Sequence, residues 1–413
     1  MNTIPFETHT LACGLRVIYE PSDSPVLYCG IVVRAGTRHE EPADEGMAHF
    51  IEHMAFKGTE RRSVWHITNG LERVGGELNA FTTKQETVYH ATVLKDDFKR
   101  AADLLTDIVF HSVYRQDDIT REVEVICDEI DSYEDTPSER IFDEYEALMF
   151  PDQGLGRDIL GSKARLRAYT TADALRFVHR YYRPDNCVFF VCGQVPFATV
   201  VRTLERLMPA ADFTAPAPSP LLLPPPVPQC GPRQHTFVRE LHQAHVMVGA
   251  PAFAATDPRH YALWLMNNML GGPGMNSRLN VNMREKAGLV YSVDSYLNLY
   301  PDTGYWNVYF GCDEHDVDRC RRILLRELGK FYLKPLTPAQ LAAAKKQLRG
   351  QTGIATDNRE AYALAMGKTY AHLGVHRDVN VLLERLEAVT ADEIMQVARE
   401  VYNPLNLVTL IYA

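Results

Sequence analysis

The feature that most constrains this chain is a repeat: its two halves read as versions of one another on either side of a proline-rich stretch. Between Met208 and Gln234 lie nine of the 24 prolines, including Pro224-Pro225-Pro226. Such a segment is extended and builds no core. Before it, Thr171-Ala172-Asp173 opens a helical pattern that leads to Pro184-Asp185-Asn186 and an apolar strand. After it, Thr390-Ala391-Asp392 opens one that leads to Pro404-Leu405-Asn406 and the strand Leu407-Val408-Thr409-Leu410-Ile411. Likewise Thr87 to Leu94, followed by a helix from Phe98, has a counterpart in Gly304 to Gly311 and a helix from Val317. A period of half the chain means a duplicated domain, not a solenoid. The expected organisation is a first domain over 1–207, a linker over 208–234 and a homologous second domain over 235–413.

The halves differ in one stretch. Residues 46–56, Gly-Met-Ala-His-Phe-Ile-Glu-His-Met-Ala-Phe, read as an amphipathic helix. His49 and His53 are four apart and share a face, so two imidazoles can hold one metal ion. Glu52 projects beside them, where it can take a proton from a water held there. Asp44 and Glu45 bring negative charge to the expected N-terminus, and Gly58 is placed to close the C-terminus. The corresponding second-half helix, Tyr261 to Leu270, is apolar where the first would ligate. A catalytic zinc usually has three protein ligands. The best source of the third is the pattern around Arg121 to Ile130, where Glu122 and Glu129 are two turns apart on one face and Val125 and Ile126 would pack it. Spacing does not choose between these two carboxylates, and an acidic solvated face has the same pattern. His242-x-x-His245 precedes a strand and lacks a carboxylate base, and His372-Leu373-Gly374-Val375-His376 has a glycine inside and Arg377 beside it, so both are poor rivals.

Composition closes off other classes. The 413 residues carry a net charge of −10, which excludes nucleic acid as the main partner because phosphate binding needs a basic face. No stretch approaches the roughly 18 apolar residues of a membrane span. Met1 to Glu7 lacks a basic-then-apolar leader pattern, so the expected compartment is the cytoplasm. The eight cysteines form no Cys-x-x-Cys pair and suit a reducing environment.

Local patterns predict strands over 9–19, 26–35, 77–83, 87–94 and 186–192. They predict helices over 66–74, 98–110, 119–133 and 170–182, and another opening at Pro137.

Taken together, the stretch His49-Phe50-Ile51-Glu52-His53, Glu122-x6-Glu129, Phe56-Lys57-Gly58-Thr59, Gly75-Gly76-Glu77-Leu78-Asn79-Ala80-Phe81-Thr82 and Arg284-Glu285-Lys286-Ala287-Gly288-Leu289-Val290-Tyr291-Ser292 resemble the pitrilysin family of inverted zincins. That family includes insulin-degrading enzyme and the mitochondrial processing peptidase, and the likeness covers nearly the whole chain. It implies an α+β fold of two homologous domains, sheets covered by helices, forming half of a clamshell. It implies one zinc per chain on His49, His53 and Glu129, with Glu52 as general base and Glu122 tuning a ligand histidine. It implies that Asn79, Ala80 and Phe81 bind substrate backbone and that Arg284 and Tyr291 contact substrate near the scissile bond. The implied activity is a zinc endopeptidase of extended peptides; the alternatives are a non-catalytic scaffold subunit or a processing peptidase with one dedicated substrate. Single-chain relatives use four such domains, so a homodimer, or a heterodimer with a related subunit, is expected. The loop Gly271-Gly272-Pro273-Gly274-Met275-Asn276-Ser277-Arg278-Leu279 departs from the family in its Pro and Met, and lacks the Lys-Ser/Thr pair of a phosphate loop.

Overall fold

The computed structural model describes residues 5–213, 225–229, 231, 233–239 and 241–413. About half of the proline-rich segment 208–234, chiefly residues 214–224, therefore lies outside the described residues.

The described residues form two compact units, each an α+β layer structure. The first contains a six-stranded sheet: β1 (Glu7–Thr10), β2 (Arg16–Pro21), β3 (Val26–Val33), β4 (Glu77–Thr82), β5 (Thr87–Leu94) and β6 (Cys187–Gly193), in the order β1-β2-β6-β3-β5-β4. The second contains β7 (Arg233–Phe237), β8 (Ala244–Ala252), β9 (Val290–Leu299), β10 (Gly304–Cys312) and β11 (Val408–Tyr412), in the order β7-β11-β8-β10-β9. With the β1 hairpin set aside, the two orders are the same permutation. The pairings repeat too: β2 runs parallel to β6 as β7 does to β11, and all other neighbours are antiparallel. The duplication read from the sequence is thus a duplication of topology.

Two local expectations change. The single strand expected over 9–19 is a hairpin, because Gly14 adopts φ +95° and the Gly14 N–H donates to the Leu11 carbonyl at 2.8 Å. The domains also do not divide cleanly at the proline-rich segment. The first unit takes in the described residues of Met1–Ser132, Arg157–Leu223 and Ala355–Asp378; the second takes in Tyr133–Gly156, Pro224–Ile354 and Val379–Ala413. Each half of the sequence therefore gives one helix to the other unit. Helix Arg359–Leu373 packs on β3 and β6, and a helix at Pro137–Met149 packs on the equivalent strands β8 and β11.

This exchange follows from burial. Alternate residues of the first sheet face opposite ways. Val17, Ile31, Tyr89 and Val191 enter the core shared with helix Met47–Met54, whereas Ile18, Val32, Val88 and Phe190 face the other way onto Ala363, Met366 and Ala371. A sheet apolar on both faces needs two covering layers. Gly367 lets the incoming helix approach, since a Cβ there would meet the Phe190 ring at 2.5 Å. Polar contacts lock the helix down: Glu86, almost wholly buried, accepts from His372 Nε2 at 2.6 Å and Lys368 Nζ at 3.0 Å.

On the other face lie α1 (Met47–Met54), α2 (Val64–Glu72) and α3 (Phe98–Phe110), with α4 (Gln116–Glu134) following in the chain. Met47, Ala48, Phe50, Ile51 and Met54 of α1 are fully buried. Burying such side chains contributes about 1.5–3 kcal/mol each for the larger ones, and it fixes α1 against the sheet with its polar stripe turned aside. Among the described residues no helix is long and apolar enough to cross a membrane.

Candidate metal centre

The start of α1 is set by a residue the sequence reading passed over. Gly46 takes φ +84°, and Glu40 Oε2 and Oε1 accept the N–H groups of Gly46 and Ala48 at 3.0 and 2.8 Å. A carboxylate at the helix N-terminus satisfies free donors and opposes the positive end of the dipole. Burial pushes the Glu40 carboxyl up to about 8, with the two backbone donors acting against it. Asp44 does not do this work: it accepts from Arg176 Nη2 at 2.7 Å, while Glu45 offers its carbonyl to the Tyr169 hydroxyl. At the other end, α1 stops at Met54, and Gly58 follows only after a further turn.

The spacing in α1 then places His49 and His53 together, with ring centroids 4.6 Å apart. Helix α4 supplies carboxylates to the pair. Val123, Ile126 and Ile130 anchor it in the core; Val125, expected to pack, is exposed. Glu129 Oε2 lies 3.8 Å from His49 Nε2 and 3.5 Å from His53 Nε2. Glu122 Oε1 accepts from the opposite edge of the same ring, His53 Nδ1, at 2.9 Å. The two carboxylates that spacing left equivalent are therefore separated by geometry.

The donor set fits a zinc ion. Ligand atoms of His49, His53 and Glu129 all lie within 4.8 Å of one another. Tetrahedral zinc with bonds near 2.0–2.1 Å puts its ligand atoms roughly 3.3 Å apart, close to the two contacts of Glu129. Burial, with His53 adding to it, pushes His49 down to about 4, which keeps it neutral as a ligand must be. Its Nδ1 is buried with no partner among the described residues. Burial also opposes charge on His53, but Glu122 and Glu129 outweigh it and push that ring up to about 9. Glu122 is held below the ordinary carboxylate range: burial opposes this, and His53 and Lys57 overcome it. Lys57 Nζ sits 2.5 Å from Glu122 Oε2. The hydrogen bond from His53 holds Glu129 low as well.

Glu52 stands beside this cluster. Burial raises its pKa, and a hydrogen bond from Thr82 Oγ1 to Oε2 at 2.6 Å limits the rise. The direction of that bond follows from its neighbours. Thr87 Oγ1, 3.3 Å from Thr82 Oγ1, gives its proton to the Ala35 carbonyl, so Thr82 is free to donate to the carboxylate. Thr82 and Lys57 were both inside stretches singled out in the sequence, but only the fold gives them partners.

Thr82 ends β4, an edge strand with one unpaired side, and β4 lies against α1. Leu78, Ala80 and Thr82 face α1, while Phe81 packs on the opposite core and Asn79 shares a small cavity with His90 and Glu360. Asn79 Oδ1 accepts from the Ala80 N–H at 2.8 Å. What this strand offers on the α1 side is Ala80 and main chain, not the Asn79 or Phe81 side chains. Arg284, in the short π-helix Asn280–Glu285, and Tyr291, 87% exposed in β9, belong to the second unit. The rival histidines are committed elsewhere: His245 to Tyr309, His372 to Glu86 and His376 to Glu20.

Residues 16–163 match insulinase (peptidase family M16), and residues 168–348 match the peptidase M16 inactive domain. An uncharacterized zinc protease of Streptomyces coelicolor is 36% identical over 402 residues, covering 95% of this chain and 86% of that protein. The chain belongs to peptidase family M16. An uncharacterized zinc protease of Bacillus subtilis is 29% identical over 95% of each chain. A protease from Helicobacter pylori of known structure superposes with a TM-score of 0.91 at 18% identity, over 100% of both chains. An M16 inactive domain from Pseudomonas fluorescens gives 0.87 at 19%, covering 99% of this chain and 97% of that one. At these identities the superpositions establish the fold. The stretch matched by the inactive-domain model, 168–348, takes in helix His260–Gly271, which carries no histidine pair.

Proposed function

We propose that this M16 protein is a zinc-dependent endopeptidase of extended or unfolded peptides. The observation that carries the reading is the convergence of His49, His53 and Glu129 within 4.8 Å, with Glu52 held beside them by Thr82. A zinc ion on those three residues would supply a Lewis acid for the scissile carbonyl and would acidify a water molecule to near neutral pH.

The chain's own groups do the rest. Glu52, raised by burial, accepts the water proton and returns it to the leaving amine. Thr82 fixes one carboxylate oxygen and leaves the other to take that proton. Glu122 fixes the tautomer and orientation of His53. The free side of β4 pairs with an extended peptide by main-chain hydrogen bonds, which need an unpaired backbone and little side-chain identity. Arg284 and Tyr291 reach the substrate from a second copy of the chain in a two-fold homodimer, the Tyr291 hydroxyl as a donor to the developing oxyanion. The thiols of Cys29, Cys127, Cys187 and Cys192, all unpaired, suit a reducing cytoplasm.

The test is digestion of a proteome-derived peptide library alongside a stable folded protein by the purified, zinc-loaded chain. Broad cleavage of the peptides with the folded protein spared supports the reading. Cleavage of one sequence alone would mark a dedicated processor, and digestion of the folded protein would contradict strand pairing as the binding mode.

A further inference from the structure

Away from the metal centre, the loop after α1 and the facing sides of α2 and α3 enclose a cleft of about 710 Å³. Four arginines line it, Arg61, Arg62, Arg73 and Arg100, in a protein of net charge −10. Two of them are built into place. Asp107, fully buried on α3, accepts from Thr59 Oγ1 at 2.7 Å, Arg61 Nε at 2.9 Å and Arg62 Nη1 at 2.5 Å. Asp103 takes further contacts from both guanidiniums. Thr59 Oγ1 also accepts the N–H groups of Arg61 and Arg62, at 3.1 and 2.9 Å, so the loop itself is tied down.

Three carboxylates, Asp97, Asp103 and Asp107, stand against the four arginines and leave one positive charge over. Arg100 has only Asp97 at 3.6 Å, and Arg73 has no partner among the described residues. Beside them stands Trp65, 64% exposed, with the His66 ring against its edge. Gly70 and Leu104 form an apolar floor: helices α2 and α3 approach so closely that a Cβ on Gly70 would meet Leu104 Cδ2 at 2.7 Å. A concave site of this volume suits a small molecule. The unpaired Arg73 guanidinium, with Arg100 held only by its longer contact to Asp97, favours a phosphate or similar oxyanion, and an exposed indole favours a planar ring.

We infer that this cleft binds a small organic anion that joins a planar ring to a phosphate group, the class of a nucleoside phosphate. The ring stacks on Trp65 and the phosphate sits between Arg73 and Arg100, while Arg61 and Arg62 hold the rim. Nothing in this rests on peptide hydrolysis at the metal centre.

ADP is the probe, with adenosine and pyrophosphate as its two halves, in calorimetric titrations of the zinc-loaded full chain at low salt. The expected result is saturable binding of ADP, with each half weaker by about 10-fold or more, as two-point recognition requires. Trp65→Ala and Arg73→Ala should each weaken ADP by about 5-fold or more, the lower range for loss of one stacked base. Both side chains are exposed, so unchanged melting curves will show that the fold is kept. Absence of saturable ADP binding at millimolar concentration would overturn the inference. So would ADP binding that survives both substitutions, which places the ligand elsewhere, or pyrophosphate or an acidic peptide binding as tightly as ADP.

Discussion

Replacing Glu122 by Gln separates two effects that usually travel together. In the metal-free chain His53 is protonated up to about pH 9, because Glu122 and Glu129 face it from two sides. Zinc requires the neutral ring, so binding must expel that proton. Affinity should therefore rise with pH, by about one log unit per pH unit, until about pH 9, and at pH 7 the proton weakens zinc by roughly 100-fold. Glu122 also has an opposite role once zinc is bound, orienting the ring and making it a better donor, for which losses of about 10–100-fold are usual, or about 1.4–2.7 kcal/mol. Gln at 122 keeps the shape and can still accept from Nδ1–H at 2.9 Å, but removes the charge and leaves Lys57 opposed to a neutral amide. The two consequences have different pH dependence. At pH 9 the variant should bind zinc about 10–100-fold more weakly than the wild type. Toward pH 6.5 the gap should narrow, because the variant's His53 holds its proton less tightly. Zinc affinity of both proteins, measured in chelator-buffered metal between pH 6.5 and 9, checks this. Parallel curves would refute the argument, since they would mean that Glu122 does not set the proton on His53. Equal affinity at pH 9 would remove its role in the metal-bound state.

Thr82→Val should retain zinc and KM but lower kcat by about 10-fold or more, as expected when a reacting group loses its orientation; Thr82→Ser should restore most of it, and peptide kinetics with metal analysis checks both. Glu86 is held down to about 2 because His372 and Lys368 outweigh its burial. Its folded value lies below the unfolded value of about 4.3, so its stabilisation is full above that value and is lost as pH falls toward 2. Thermal melts should show that loss in the wild type and little of it in Glu86→Gln. For the two-chain site, Glu52→Gln and Arg284→Ala proteins should each be poorly active, and co-refolded mixtures should regain activity, up to about half of the wild-type sites per heterodimer. No recovery despite demonstrated subunit exchange would mean that one chain completes its own site.

The parts legible in the sequence were those fixed by local periodicity. The strand over 87–94 and the helix over 98–110 have the expected bounds, and the four-residue spacing in α1 does bring His49 and His53 together. Periodicity tells which face a side chain takes, not which element lies opposite. That is why spacing leaves Glu122 and Glu129 equivalent and only the family resemblance tells them apart; in the structure they lie one at each edge of the His53 ring. It is also why Glu40, six and eight residues before the N–H groups it caps, was overlooked in favour of the adjacent Asp44 and Glu45. The exchange of helices between units was out of reach for the same reason. Gly367 carries no mark that it packs on Phe190 of the first half's sheet, nor Tyr145 that its hydroxyl donates to the Val408 carbonyl of the second. The alternation of β4 is readable, and it puts Thr82 rather than Asn79 on the α1 side once the position of α1 is known.

The most direct test of the central claim is turnover by Glu52→Gln beside the wild type, with zinc measured in the same samples. Both proteins should carry about one zinc per chain, and the wild type should cleave unfolded peptides at least ~100-fold faster, the lower range for removal of a general base. Near-normal cleavage by Glu52→Gln would contradict the assignment of the base. A zinc-loaded wild type that cuts no peptide would instead mark the protein as a scaffold that has kept its ligands.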